Sequence, residues 1–257
     1  FPALILAAFI AAFFGFILGL PALRLEGPYL TIATLAFGLA IMHIIGHIEV
    51  FGGRSGLRAP DLNIGIAQLG WNLTLTTDLS KYYLILIITI LMVLGAINIL
   101  KTKVGRAFVA IRDSDIAAEV IGINLTIYKT LSFAVSAFYA GIAGGLFAFV
   151  LGFFDPITFN FFLSIYFLVM IVVGGLGSIM GSIAGAAFIT YLMYALFKNI
   201  SDIPYIGDFI VNISQRWLSI TGIDNLSAIA LGLVMVGIMI FEPMGFFGIW
   251  IRMKKYW

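Results

Sequence analysis

The chain has 257 residues, of which 62% are hydrophobic and 10% charged, against about 45–50% and about 25% in soluble globular domains. A formal net charge of +2 is too small and too scattered to recruit nucleic acid, and the absence of cysteine excludes disulfides, thiol catalysis and thiolate metal sites. Such a composition belongs to an integral membrane protein.

Apolar runs long enough to cross about 30 Å of hydrocarbon lie at residues 2–20, 27–45, 82–100, 130–151, 158–173, 183–197 and 226–241. They predict an all-α, polytopic transmembrane helical bundle of about seven spans, in one domain covering residues 1–257. The fifth and sixth runs are short, as tilted, broken or partly re-entrant helices are. The first run lacks the basic flank and the cleavage pattern of a signal peptide.

Near the outer end of the second run, His43 and His47 stand one helical turn apart, followed by Glu49. A third ligand is missing, so an interfacial or packing role is favoured over a metal site. Residues 46–81 form a long loop containing Gly52, Gly53, Arg54, Ser55 and Gly56, and residues 198–225 form a second loop on the same side. Trp71, Trp217 and Trp250 sit near predicted interfaces, as aromatic belts do. Residues 95–102 have the frame of a phosphate-binding loop, but Leu100 replaces its second glycine and the stretch ends an apolar run. No nucleotide site and no catalytic grouping of titratable residues is predicted in this chain.

Residues 101–129 are the longest polar interval with a helical pattern of its own. Arg112, Asp113, Ser114 and Asp115 supply capping and acidic side chains suited to a helix N-terminus, and Gly122 suits the position just past its C-terminus. Between them lies a helix of about two turns. Ile116, Ala117, Val120 and Ile121 share one of its faces, while Asp115 and Glu119 line a neighbouring polar one. A helix this short is unstable alone in water and must dock, either on its own bundle or in a partner's groove.

Orientation follows from the basic residues. Lys101, Lys103, Arg106, Arg112 and Lys129 in one loop, with Arg252, Lys254 and Lys255 at the end, mark the cytoplasmic side. Four spans separate the two groups, an even number, so both lie on one face. The first residue and the 46–81 loop then fall outside, which implies that at least one earlier span precedes this chain.

Small residues recur at four-residue spacing: Gly141 and Gly145, then Gly177, Gly181 and Gly185, with Gly174 on the adjacent row and Gly15 with Gly19 as a weaker instance. That spacing lets helix backbones approach closely in lipid, so tight packing is favoured over a place in a substrate path. Polar groups on otherwise apolar runs, Thr31, Thr34, Ser132, Ser136 and Tyr139, are the candidates to line such a path.

Residues 105–119, continuing through Gly122, Ile123 and Asn124 to Tyr128 and Lys129, resemble the cytoplasmic coupling loop of the LivM-type permeases of branched-chain amino acid importers driven by ATP. Residues 27–38, 136–145 and 173–178 resemble that family in the same order, so the likeness covers most of the chain. One departure is the outer loop, where Phe51 and Arg54 flank the paired glycines. The resemblance implies a non-enzymatic, multi-pass permease subunit of a bacterial or archaeal inner membrane. It also implies a second related permease, two cytoplasmic ATP-binding subunits that carry ATP and magnesium, and a periplasmic substrate-binding protein. Gly105, Arg106, Arg112, Asp113, Asp115, Ile116, Glu119, Val120 and Gly122 would then form the ATPase-coupling element. A urea, amide or other small polar solute is the alternative cargo within the same family. An ion-coupled secondary transporter is the alternative from another class, disfavoured because the runs carry almost no charge at mid-depth.

Overall fold

The computed structural model describes residues 2–23, 25, 27–49, 52–58, 62–64, 73–75 and 77–200, together with residues 232, 233, 236, 237, 240, 245 and 248 singly. The chain divides into two compact units, Phe1–Asn160 and Phe161–Trp257. In the first, α1 spans Pro2–Ala22, α2 Pro28–His47, α3 Asp78–Lys101, α4 Lys103–Asp113, α5 Asp115–Val120 and α6 Leu125–Leu151. The four long helices form where apolar side chains run on, because in lipid every backbone N–H and C=O must be satisfied within its own segment.

The centre of this unit is the antiparallel pair of α1 and α6, which pack along most of their length. Small residues on both sides make that possible. A Cβ at Gly141 would lie 2.8 Å from both Ala8 Cα and Ala11 Cβ, and one at Gly145 would lie 2.8 Å from Leu4 Cδ1. Toward the other end of the pair, Gly15 rests on Phe133 and Ala137, and Gly19 on Thr130 and Phe133. Leu4, Ala8, Ile142 and Leu146 join Ile88 of α3 in one buried cluster. α3 is tied to α6 once more by Tyr139, whose hydroxyl donates to the Met92 carbonyl at 3.2 Å.

At the end of the bundle opposite the basic loop, short strands appear that alternation in the sequence did not reveal. β1 (Leu57–Arg58) pairs antiparallel with β4 (Phe153–Phe154), placing Leu57 opposite Phe154. β2 (Leu62–Ile64) pairs antiparallel with β3 (Leu73–Leu75). Asp155 then caps a 3-10 turn at Pro156–Phe159 by accepting from the Thr158 N–H at 2.8 Å.

In the second unit, α7 (Phe161–Gly174) and α8 (Ile179–Ile200) fold back on each other with a bend of 120°. Val169, Met170 and Val173 pack against Ile189 there. Gly174 lies against the backbone of Gly181, and Gly185 against Met170 and Gly174. Gly177 sits in the turn between the helices with φ of 82°, a left-handed conformation that favours glycine.

Four helices, α1, α2, α3 and α6, are long and apolar enough to cross a membrane, and α7 with α8 passes the same test as one bent pair. The described residues therefore hold four or five such spans, where six of the seven predicted runs fall. The physical reason is length: 14 residues of α7 rise only about 21 Å, short of the roughly 30 Å hydrocarbon thickness. The run at 226–241, the loop at 198–225 and the terminal basic residues lie largely outside the described residues.

Candidate functional site

The site is built from the polar interval between α3 and α6. Thr102 closes α3 by donating its hydroxyl to the Ile99 carbonyl at 2.7 Å, and caps α4 by accepting from the Gly105 N–H at 3.4 Å. Gly105 is buried against the backbone of Ile99 and Leu100, where a side chain would collide. α4 is thereby held tightly to the last turn of α3. Its apolar residues Val104, Ala107, Phe108 and Ile111 follow the i, i+3, i+4, i+7 rule of an amphipathic helix. Phe108 meets Tyr128 of α6 edge to face, with ring centroids 6.3 Å apart. That spacing, beside the end of an apolar run, is the sequence signal for α4.

Ser114 ends α4 and begins α5. Its N–H donates to the Ala110 carbonyl at 3.0 Å, and its hydroxyl accepts from the Ala117 N–H at 3.2 Å. At the far end the Gly122 N–H donates to the Glu119 carbonyl at 2.9 Å and the Ile123 N–H to the Ala118 carbonyl at 3.0 Å, with Gly122 at φ of 85°. This is a Schellman closure, which satisfies carbonyls that a helix end otherwise leaves open. Asn124 immediately starts α6 by accepting from the Ile127 N–H at 3.1 Å.

α5 buries one side and shows the other. Ala118 is 1% exposed, whereas Ile116, Val120 and Ile121 are 77%, 82% and 72% exposed. Asp115 is held by the Lys129 ammonium, an ion pair that straps α5 to the first turn of α6. Arg112 pairs with Asp113 at 2.9 Å, both largely exposed, so that pair is worth little to stability. Glu119 is exposed and has no ion-pair partner among the described residues. Arg106 donates to the Lys101 carbonyl at 3.4 Å and is otherwise turned outward. Beside the helix lies an open cavity of about 650 Å³, lined by Leu23, Asp115, Glu119, Asn124, Thr126 and Lys129 among others. The result is an apolar ridge with an ionic rim on the exposed side of α5.

The candidate path residues are not gathered in one place. Thr31 and Thr34 lie on α2, and Ser132, Ser136 and Tyr139 on α6, two helices that do not pack along each other. Their hydroxyls mostly bond their own helices: Thr34 donates to Leu30 and Thr31 carbonyls, Ser132 to Lys129 and Ser136 to Phe133. At the opposite end of α2, His47 Nδ1 lies 2.8 Å from the His43 carbonyl. Gly95 is in the middle of α3, against the Tyr139 hydroxyl, and not in a phosphate-binding loop.

Long apolar helices packed through small residues, with a capped amphipathic segment at one end, define a multi-pass membrane protein. The sequence profile of the family described as branched-chain amino acid transport system, permease component, matches residues 1–241, and the chain belongs to that family. It is similar to the high-affinity branched-chain amino acid transport system permease protein LivM of Salmonella typhimurium, with 34% identity over 192 residues. The match takes in 67% of this chain and 45% of that protein. The protein of the same name from Escherichia coli K12 matches to the same extent. The matched stretch thus takes in less than half of the length of these relatives. No solved structure matches.

Proposed function

We propose that residues 1–257 form a permease domain of an ATP-driven importer in a bacterial or archaeal inner membrane, carrying branched-chain or related small amino acids. In this reading a second related permease, two cytoplasmic ATP-binding subunits and a periplasmic substrate-binding protein complete the assembly. ATP is hydrolysed on the partners, and residues 101–129 are the coupling loop. The cargo follows from what the similar proteins are named for.

The observation that carries this reading is the outward face of α5, where Ile116, Val120 and Ile121 stand exposed on a helix of 6 residues. Burying each such side chain in a groove would contribute about 1.5–3 kcal/mol. Asp113 and Glu119 would fix the register at the rim. The force delivered there has a route inward. Gly105 couples α4 to α3 through close backbone packing, and the Asp115–Lys129 pair couples α5 to α6. Motion of the docked helix would thus shift α3 and α6 together and switch the bundle between packings open to either side.

Replacing Val120 and Ile121 by Asp tests the reading. Both side chains are exposed, so the variant should insert and fold as before yet lose its ATPase subunit on purification. Full retention of the ATPase would remove α5 as the docking element.

A further inference from the structure

The polar interval holds a second surface, at the α3–α4 corner and away from the apolar face of α5, of which the coupling element named above takes in only Arg106. Five cations lie between residues 101 and 129, and two of them, Arg112 and Lys129, are paired with carboxylates. The other three, Lys101, Lys103 and Arg106, are exposed and have no carboxylate within ion-pair distance among the described residues. They are also placed together. Lys101 is the last residue of α3, Lys103 the first of α4, and Arg106 reaches back to the Lys101 carbonyl. The buried Gly105 holds α4 against that end of α3, so the three charges gather where the helix finishes.

Depth is set by α3. Its 24 residues rise about 36 Å, enough to carry Lys101 from one side of a roughly 30 Å hydrocarbon layer to the headgroups of the other. Leu100 and Val109 beside the cations are 44% and 39% exposed, an apolar flank suited to the acyl boundary.

We infer that Lys101, Lys103 and Arg106 form a site for the headgroup of an anionic phospholipid of the surrounding bilayer, which pins the α3–α4 corner at the membrane surface. The inference rests on α3 crossing the membrane and does not depend on α5 docking an ATPase. Each cation near an anionic surface favours binding modestly, and the contribution is screened by salt.

The full-length protein, reconstituted in phosphatidylcholine and offered phosphatidylglycerol, tests the site by native mass spectrometry of retained lipid. The wild type should retain phosphatidylglycerol in preference to phosphatidylcholine. The K101Q/K103Q/R106Q variant should lose roughly fivefold of that preference for each cation removed, while Arg112→Gln, whose cation is already paired, should keep it. No preference in the wild type, or an unchanged one in the triple variant, overturns the inference. If the triple variant does not fold, the wild type at raised salt decides, because a preference that does not fall with salt is not electrostatic. If the triple variant keeps its lipid but loses an ATPase, the surface is a protein contact and the lipid site is wrong.

Discussion

Gly141 and Gly144 lie three residues apart on α6 and have opposite surroundings. A Cβ at Gly141 meets Ala8 and Ala11 of α1 at 2.8 Å, while one at Gly144 meets nothing within 4 Å. Gly141→Leu should therefore destabilise the bundle by about 1–3 kcal/mol through overpacking. Gly144→Leu should be nearly silent. Denaturant unfolding of both variants in detergent checks the contrast, and equal effects would mean that α1 and α6 do not meet through Gly141. Spacing alone could suggest these glycines but not rank them, because the pattern does not say which side faces the neighbour. Gly177 illustrates the same limit. It continues the series of Gly181 and Gly185, yet Ser178 accepts from the Gly181 N–H at 3.0 Å and starts α8 after it. A local cap decided where the helix began, and the periodicity ran past it.

At the scale of the element, α5 was legible because its boundaries are chemical. Ser114 and Gly122 are the residue types that open and close a helix, and both do so here. α4 is harder to read, because its amphipathic pattern follows directly on a membrane span with only Thr102 between them. The long helices extend past their apolar runs for a related reason. α6 begins at Leu125, one residue after the Asn124 cap, although its apolar run opens at Thr130. Hydropathy reports where a helix enters lipid, and backbone hydrogen bonding carries it further. The loop has two kinds of charge, and they separate experimentally. Asp115 is strapped to Lys129 of α6, whereas Asp113 pairs only with its neighbour Arg112 and Glu119 has no ion-pair partner among the described residues. Reversing Asp113 and Glu119 to Lys should leave membrane insertion intact and uncouple ATP hydrolysis from transport. Uptake by that double variant at the wild-type rate would remove the rim charges from the coupling surface.

Across the whole molecule, the four long helices were visible as uninterrupted apolar runs, since lipid demands that length and composition. The shortness of the fifth and sixth runs allowed broken or re-entrant helices but did not say where the chain turns. Gly174, Gly175, Gly177, Gly181 and Gly185 allow both a straight close-packed helix and a sharp turn, and only the positive φ at Gly175 and Gly177 selects the turn. The candidate path was the least legible part. A hydroxyl on an apolar span either faces a path or bonds back to its own helix, and the sequence does not distinguish them. Here Thr34, Ser132 and Ser136 bond back. None of the spanning window of α2 is buried, and its large exposed side chains include the apolar Ile32, Leu35, Leu39, Ile44 and Ile45. In lipid such a face is stable as it stands, without requiring a protein partner.

The decisive experiment on the coupling loop is to purify the full-length protein from its native membrane in mild detergent and to identify by mass spectrometry what accompanies it. An ATP-binding subunit and a second permease should copurify, and the Val120 and Ile121 double replacement should release the ATP-binding subunit. A protein that emerges alone or only with copies of itself, and whose solute uptake follows an ion gradient instead of ATP, would contradict the coupling role and leave residues 101–129 as a connector.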